Sequence, residues 1–297
     1  MSDEHEQTKT ETRRLISDAL TEQEHRFETE LAEARRAAEQ IPHLLETIQE
    51  LRSEIFRIKR HGYEDWFNRM FEVEMPTPNT WPFTTFVQDT PWCDEVVAGM
   101  HRGEVLYAEN LMRGLETDSV EGDIVEFGIY EGAWLEALAE MRERHGWTRT
   151  LWGFDSFEGL PEPKAGFDPT CWTKGMYAAP YDAVSMRLRA VDRPWLRLVR
   201  GWFSETLPDE PARSIEKIAY ARIDSDLYES CADCLKFLEP RLVNGAVLVF
   251  DDWQFTNTHG EPRAFKEWME GGAPFRFQFL AMNSWAHLYV KVRRTDP

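Results

Sequence analysis

The sequence predicts an α/β protein with a doubly wound, mostly parallel sheet and an antiparallel C-terminal edge. From about residue 104, short apolar segments alternate with helix-length segments, which is the pattern of repeated βα units. The last two apolar segments, 275–280 and 287–292, alternate apolar and polar residues as an antiparallel hairpin does. The chain of 297 residues is long enough for one large core and an appendage.

Three parts are expected along the chain: a helical appendage at 1–60, a linker or lid at 61–103 and the α/β domain at 104–297. In the appendage, apolar residues recur every seven positions from Leu20 to Ile55, with a second position of the seam filled from Ala37 to Ile58. This heptad pattern predicts a coiled coil, kinked or restarted at Pro42, through which the protein forms a homo-oligomer. The alternative is a helix that packs on its own domain.

The segment 61–103 is rich in proline and aromatic residues, and the prolines forbid a long regular element. Such a segment serves either as a lid over an active site or as a scaffold for the domain.

Within the α/β domain, apolar runs and turn signals predict the elements in order. Strands are expected at 123–127, 150–154, 196–200, 218–223 and 246–250. Helices are expected at 104–116, through Leu135, Leu138 and Met141, and at 181–191, 229–239 and 261–270.

The overall composition argues against several classes of protein. A formal net charge of -19, from 53 acidic and 34 basic residues, disfavours nucleic acid or an anionic membrane as the main partner. No apolar run has a membrane-spanning length and no signal-peptide pattern opens the chain, so we expect a cytoplasmic protein without a transmembrane segment. The four cysteines do not suggest a disulfide framework, and we expect Cys231 and Cys234 to be packing residues.

Carboxylates follow two of the predicted strands. Asp224 and Asp226 follow the fourth strand, and Asp251 and Asp252 follow the fifth. Because the carboxyl ends of parallel strands line the ligand crevice, these acids should surround one point, where a cation or a shared proton must relieve their repulsion. Oxygen ligands without nearby Cys or His favour magnesium, manganese or calcium. The alternative is a helix cap at Asp226 beside ordinary solvated acids.

The turn after the first strand has the pattern Glu126-x-Gly128-x-x-x-Gly132, with Tyr130 and Glu131 inside it. Glycines let the backbone approach a ligand, but a nicotinamide dinucleotide site requires three of them in a different spacing. Acids in this turn would repel a pyrophosphate and suit a cationic amino-acid group.

Two further strand ends suit a nucleoside. The second strand ends at Asp155, placed to bind ribose hydroxyls, and the third leads to Gly201 and Trp202, a small residue and a flat ring suited to adenine. Together with the turn, these residues describe a ligand with a nucleoside, a zwitterionic tail and no phosphate. S-adenosylmethionine fits that description.

Five motifs, in this order, resemble the macrocin O-methyltransferase family over about residues 104–292. They are Gly122-Asp123-Ile124-Val125-Glu126-Phe127-Gly128, Phe154-Asp155-Ser156-Phe157-Glu158-Gly159-Leu160-Pro161, Gly201-Trp202-Phe203-x-x-Thr206-Leu207-Pro208, Asp224-x-Asp226-Leu227-Tyr228-Glu229-Ser230 and Asp251-Asp252. The resemblance implies a Rossmann-like class I methyltransferase fold. It also implies a metal-dependent enzyme that uses S-adenosylmethionine to methylate a sugar hydroxyl on a natural-product glycoside, a nucleotide sugar or a surface glycan.

The resemblance implies roles for individual residues as well. Magnesium would be held by Asp224, Asp251 and Asp252, while Asp226 would cap the following helix. Cofactor contacts are expected at Glu126, Gly128, Tyr130, Gly132, Asp155, Ser156, Gly201 and Trp202. The segments 66–100, 163–180 and 253–262, which match the family least, would recognise the acceptor.

The expected mechanism is metal-assisted methyl transfer, in which magnesium binds two adjacent sugar hydroxyls and orients one toward the sulfonium methyl. Asp224 is the first candidate for the general base and His259 the second. Two other interpretations stay open. A nicotinamide-dependent sugar oxidoreductase is disfavoured by the glycine pattern and by the lack of a Tyr-x-x-x-Lys motif. A non-enzymatic coiled-coil scaffold with a degenerate body is disfavoured by the intact acids.

Overall fold

The computed structural model describes residues 66, 67, 69–72, 94–253, 257–282 and 286–296. The expectations for residues 1–60, namely the coiled coil and its kink at Pro42, lie outside the described residues. No helix in the described part of the chain is long and apolar enough to cross a membrane.

The described strands form a single mixed sheet. They are β1 (Phe71–Glu72), β2 (Asp123–Phe127), β3 (Leu151–Asp155), β4 (Leu196–Arg200), β5 (Ile218–Ile223), β6 (Leu242–Phe250), β7 (Phe275–Met282) and β8 (Leu288–Arg294). Their order across the sheet is β1-β7-β8-β6-β5-β2-β3-β4. β8 runs antiparallel to both β6 and β7, and the other pairs are parallel. The predicted doubly wound sheet with an antiparallel C-terminal edge is confirmed.

Helices connect the parallel strands. They are α1 (Asp94–Thr117), α2 (Ala133–His145), α3 (Tyr181–Arg187), α4 (Phe203–Thr206), α5 (Tyr228–Leu238) and α6 (Gly260–Glu270). Short 3-10 turns occupy Ala190–Asp192 and Ala212–Ser214.

Three boundaries differ from those that the sequence predicts. The helix expected at 104–116 begins at Asp94, so α1 crosses the expected boundary between linker and domain. The helix expected at 181–191 ends at Arg187, because Arg189 adopts a left-handed backbone with φ 49° and the chain continues as a 3-10 turn. β6 begins at Leu242, since a register irregularity near Gly245, with φ 86°, lets the strand pass through a sequence that resembles a turn.

Apolar side chains cover both faces of the sheet, so the central strand β5 is buried along its whole length. This explains why every residue of the strand except Arg222 is apolar or aromatic, as is typical of parallel strands between two layers of helices. The carboxyl ends of β2, β3, β5 and β6 therefore meet at one edge of a rigid core.

The described part of the aromatic segment packs into that core. Phe71 stacks on Phe265 with ring centroids 5.3 Å apart, and Trp66 stacks on Trp253 at 6.0 Å. Phe71–Glu72 also extends the sheet beside β7. These residues support the domain as a scaffold, and they hold Trp253 next to the acids that follow β6.

Candidate active site

A pocket of about 720 Å³ opens at the carboxyl ends of the parallel strands. Its lining includes Asp226 and nine of the predicted cofactor and metal contacts: Gly128, Tyr130, Asp155, Ser156, Gly201, Trp202, Asp224, Asp251 and Asp252. Glu126, Gly132 and His259 are not among the lining residues. Glu126 is buried in β2, and His259 directly precedes α6, where its Nδ1 lies 2.8 Å from the Thr258 hydroxyl.

The turn after β2 brings two strand ends into very close contact. Gly128, with φ 82°, donates its N–H to Phe154, and a Cβ at this position would lie 1.8 Å from the backbone oxygen of Asp224. Only glycine fits, so the predicted need for close backbone approach has a steric cause. Gly132 serves differently: it precedes α2 and packs on Val184 and Leu188.

Glu126 is buried with its carboxylate directed away from solvent. It is 1% exposed, and its Oε2 has no hydrogen-bond partner among the described residues. Burial raises the pKa of Glu126 to about 8, with Arg222 acting in the opposite direction. A carboxyl with an unpaired buried oxygen suits a cationic partner.

Asp155 holds the loops at the end of β3 together. Its Oδ2 accepts the N–H groups of Ile129 at 2.8 Å and Tyr130 at 3.0 Å, and its Oδ1 accepts that of Phe157 at 2.6 Å. Burial raises the pKa of Asp155, and these three backbone donors oppose the rise. The side chain expected to bind a ribose thus also fixes the shape of the pocket wall. The sequence does not predict this second role, because Ile129 and Tyr130 lie 26 and 25 positions from Asp155.

Three carboxylates form a cluster at the ends of β5 and β6. Oxygens of Asp224, Asp226 and Asp252 lie within 4.8 Å of one another, and Oδ2 of Asp252 is buried without a hydrogen-bond partner in the described residues. The pKa of Asp224 is raised by desolvation and by Asp251, and that of Asp226 is raised to about 7 by burial and by Glu261. The geometry supplies Asp226 where the resemblance implies Asp251.

Asp251 turns its Oδ1 to basic groups behind the cluster. Arg222 donates to that oxygen, and Nε2 of His287 lies 3.2 Å from it. Nδ1 of His287 lies 2.6 Å from Glu104, which also accepts the hydroxyl of Tyr289 at 2.5 Å. The surrounding donors hold the pKa of Glu104 at about 2 although burial, the largest effect, raises it. This network is not predictable from the sequence pattern, in which Arg222 within an otherwise apolar strand is the one signal of it.

The expected cap at Asp226 is wrong. The residue before α5 is Leu227, and the free N–H of Tyr228 donates to Oδ1 of Asp168 at 2.7 Å instead. Asp226 has φ 59°, which points its carboxyl back to Asp252 and away from the helix. Asp168 lies 60 positions from Tyr228 in the sequence, so no local pattern identifies it as the cap.

Glu261, in the first turn of α6, is a second buried acid that the sequence analysis missed. It is 0% exposed and accepts the N–H and hydroxyl of Ser225 and the N–H of Asp252, at 3.1 to 3.2 Å. Glu261 thereby ties the loop after β5 to the loop after β6. Burial and Asp252 raise its pKa.

Comparison with known proteins gives a consistent group of relatives. Residues 67–271 match the family Macrocin-O-methyltransferase (TylF), so the match begins well before the resemblance seen in the motifs. The chain is 34% identical over 195 residues to the 8-demethyl-8-(2,3-dimethoxy-alpha-L-rhamnosyl)-tetracenomycin-C 4'-O-methyltransferase of Streptomyces olivaceus, covering 58% of this chain and 72% of that protein. It is 32% identical over 159 residues to the demethyldecarbamoylnovobiocin O-methyltransferase of Streptomyces niveus, covering 49% of this chain and 59% of that protein.

Solved structures agree. The O-methyltransferase NovP has a TM-score of 0.54 and 25% identity, covering 64% of this chain and 80% of that one. The calicheamicin methyltransferase CalS11 has a TM-score of 0.54 and 26% identity, covering 75% of this chain and 95% of that one.

Proposed function

This chain belongs to the macrocin O-methyltransferase family, enzymes with a Rossmann-like class I methyltransferase fold, and we propose that it transfers a methyl group from S-adenosylmethionine to a hydroxyl of a sugar. The observation that supports the proposal most is the pocket itself. It is lined both by residues expected to bind the cofactor, such as Asp155 and Trp202, and by a cluster of carboxylates. The family match favours this reaction over a nicotinamide-dependent oxidoreductase or a non-enzymatic scaffold.

The residues at the cofactor end fit S-adenosylmethionine. The buried, unpaired oxygen of Glu126 suits the ammonium of the methionine part, and the Gly128 turn leaves room for a ligand against the backbone. Ser156 and Asp155 border the same wall, for the ribose, and Trp202 offers a flat ring for adenine. Tyr130 and Gly201 complete this wall. Gly132 lies outside the pocket lining, at the end of the same turn and next to Val184 and Leu188.

The acidic cluster fits a magnesium ion. Its ligands are all oxygens, and one buried oxygen of Asp252 lacks a partner, which is the expected state of a cation ligand in the absence of the ion. We propose Asp224 and Asp252 as ligands. The third is Asp251 by resemblance, through the oxygen that Arg222 does not hold, or Asp226 by geometry.

A bound divalent cation would lower the pKa of a sugar hydroxyl and offset the charge of the acids. The side chains then have separate tasks. Arg222 and His287 keep Asp251 in one orientation, and Glu261 keeps the two acidic loops together. Asp224 borders the pocket and is the first candidate to accept the hydroxyl proton, while His259 lies outside its lining. Water exclusion falls to the aromatic residues that line the pocket.

The acceptor is proposed to be a sugar-bearing small molecule or glycan, and nucleic acid is not proposed as a partner. One relative is named for methylating a rhamnosyl-tetracenomycin, which supports a glycoside. The homo-oligomer through residues 1–60 and the cytoplasmic location stay predictions from the sequence.

Methyl transfer with isotope-labelled S-adenosylmethionine tests the proposal. The full-length protein with magnesium is given a panel of glycosides, beginning with methyl α-L-rhamnopyranoside, and products are read by mass spectrometry. We expect Asp252→Asn to abolish transfer and to weaken Mn²⁺ binding, measured by electron paramagnetic resonance, while calorimetry shows unchanged cofactor affinity. Asp182→Asn, an exposed acid outside the pocket, is the matched control.

Comparing Asp226→Asn with Asp251→Asn in the same Mn²⁺ titration identifies the third ligand. Labelled methyl on no sugar of the panel contradicts the proposed function, and full activity of Asp252→Asn contradicts the proposed metal site.

A further inference from the structure

The loop between Leu160 and Met176 is closed at its base by main-chain hydrogen bonds. The N–H of Leu160 donates to Met176 at 2.8 Å, and the N–H of Gly175 donates to Leu160 at 2.9 Å. Gly159, with φ 80°, lies so close that a Cβ would be 2.5 Å from the Met176 oxygen. Both ends of the loop are therefore fixed to the domain at one point beside the pocket.

The body of the loop is pinned to two helices. Asp168 accepts the N–H of Tyr228 at the start of α5 and, with its other oxygen, the N–H of Lys164. The N–H of Gly260, at the start of α6, donates to Phe167 at 2.8 Å. A loop held at its base and at its middle is pre-organised, so side chains on it can bind a ligand with little ordering cost.

This loop and the residue that directly follows it supply two aromatic rings, Trp172 and Tyr177, to the pocket wall. Tyr177 has edge contacts with Trp172 at 5.8 Å and with Tyr130 at 5.6 Å, and all three line the pocket. Tyr130 and Tyr177 are each 43% exposed, and the indole Nε1 of Trp172 is buried without a hydrogen-bond partner in the described residues. Exposed ring surface beside an unpaired donor indicates a ligand with both an apolar face and an oxygen acceptor.

The same wall faces the acidic cluster. Asp224, Asp226 and Asp252 line the same pocket as the three rings. A ligand on these rings therefore presents its edge to the carboxylates.

The charge of the pocket restricts that ligand further. Among its described lining residues there is no Lys, Arg or His. Its ionisable acids are Asp155, Asp224, Asp226, Glu229, Asp233, Asp251 and Asp252. A pyrophosphate in this pocket would meet like charge with no basic side chain to pair with it.

We propose that Tyr177 and Trp172 form the acceptor subsite, next to Tyr130 of the cofactor wall, and that the acceptor is a neutral glycoside, not a nucleotide sugar. The apolar C–H face of its sugar ring packs on Tyr177 and Trp172, and the indole N–H of Trp172 donates to one of its oxygens. This inference rests on the proposed function and narrows its substrate class.

The test compares two acceptors that share one sugar. Full-length protein with magnesium and S-adenosylmethionine is given methyl α-L-rhamnopyranoside or a nucleoside-diphosphate rhamnose, and initial rates give kcat and KM. We expect kcat/KM at least about tenfold higher for the neutral glycoside. Tyr177→Leu and Trp172→Leu should each raise its KM about tenfold, the loss of one aromatic contact with its polar tip, and leave the Kd of S-adenosylmethionine within twofold.

Conservative variants separate the contacts. Tyr177→Phe should keep a KM close to that of the wild type because the ring remains, whereas Trp172→Phe should show an intermediate KM because only the N–H is lost. Trp195→Leu is the matched control, since Trp195 packs on Arg142 outside the pocket lining. Thermal unfolding confirms that each variant is folded.

Two results overturn the inference while leaving the proposed function intact. One is a preference for the nucleotide sugar, and the other is a glycoside KM within twofold of the wild type in both leucine variants. A parallel loss of cofactor affinity in those variants would reassign the rings to the cofactor and overturn it too. Cofactor binding by the wild type without transfer to either sugar contradicts the proposed function, and this inference falls with it.

Discussion

The ionisation of the buried Glu126 carboxyl governs its proposed contact with the ammonium of the cofactor. In the free protein it is held largely protonated near neutral pH, because burial raises its pKa to about 8. A bound ammonium would favour the charged form, so binding and proton release become linked. The affinity for S-adenosylmethionine should therefore increase as pH rises toward 8.

We expect Glu126→Gln to weaken S-adenosylmethionine by about 2 kcal/mol, roughly thirtyfold in Kd, because a charge-assisted hydrogen bond is lost. The pH dependence of binding between pH 6.5 and 8 should disappear with it. Calorimetry in buffers of different ionisation enthalpy measures both quantities.

Glu131→Gln is the control for this prediction, since that side chain is 61% exposed in the same turn. An unchanged Kd in Glu126→Gln would remove Glu126 from the cofactor site.

For single residues, the sequence predicts features that depend on neighbouring positions. It does not predict contacts between side chains that are far apart in the chain. Asp224 and Asp252 follow apolar runs, so the pattern alone predicts that they lie at strand ends. The pairing of His287 with Glu104 joins residues 183 positions apart, and no periodicity predicts it. For Asp226, the sequence predicts the place at the end of a strand but not the direction of the side chain. That direction depends on a left-handed backbone conformation, which the sequence pattern does not predict.

Among the elements, the turn from β2 to α2 carries the tightest steric requirement of the site. Gly128 has φ 82° and lies against the backbone of Asp224, a member of the acidic cluster, whereas Gly146, at the end of α2 with φ 67°, would have nothing within 4 Å of an added Cβ. A substitution at Gly146 therefore introduces backbone strain alone, whereas a substitution at Gly128 introduces backbone strain and a steric clash.

We expect Gly146→Ala to cost about 1 kcal/mol of unfolding free energy, the strain of a left-handed alanine. Gly128→Ala should cost at least ~3 kcal/mol, because the turn must also move away from Asp224, and it should weaken cofactor and Mn²⁺ binding together. Urea denaturation and the two binding titrations measure these effects. Equal costs for the two variants would show that the turn yields without strain.

The elements themselves were predictable because each has its own periodicity or boundary signal. The strands from β2 to β5 have the predicted places, while the start of α1 does not. That start lies in a segment whose prolines and aromatic residues conceal helical spacing, and its helix depends on tertiary packing more than on local propensity.

For the whole molecule, the buried acids predict that stability falls as pH rises. Glu126 and Asp226 have pKa values of about 8 and about 7 in the folded state, and Glu261 is also shifted upward. In the unfolded chain such groups titrate near pH 4, so between about pH 4.5 and 8 the native state binds more protons. Stability is greatest below that window and is lost through it. Glu104, with a pKa of about 2, has the opposite effect: its stabilisation is present throughout that window and is lost only as the pH falls from about 4.5 toward 2.

Each of these groups contributes at most about 1.4 kcal/mol per pH unit. Urea denaturation with a chelator at pH 5.5 and pH 8.0 should give the larger unfolding free energy at pH 5.5. Asp226→Asn should reduce the difference and Asp182→Asn should not. A free energy that increases with pH would contradict the assigned pKa shifts.

The predicted coiled coil concerns the assembled protein. Removing residues 1–60 should lower the oligomeric mass in light scattering and leave S-adenosylmethionine affinity unchanged, because the cofactor motifs begin after residue 120. A constant oligomeric state would show that the heptad segment does not drive association.

The loop from Leu160 to Met176 has one more consequence. Its base is closed by main-chain atoms and its middle is anchored by the side chain of Asp168, so the other residues between can be replaced without loosening the attachment. Mutation at those other positions is therefore uncoupled from the demands of the reaction centre, and new acceptor preferences can arise within one short segment. The same property makes it a graft site: exchanging this segment between relatives should transfer acceptor choice while the recipient keeps its own chemistry.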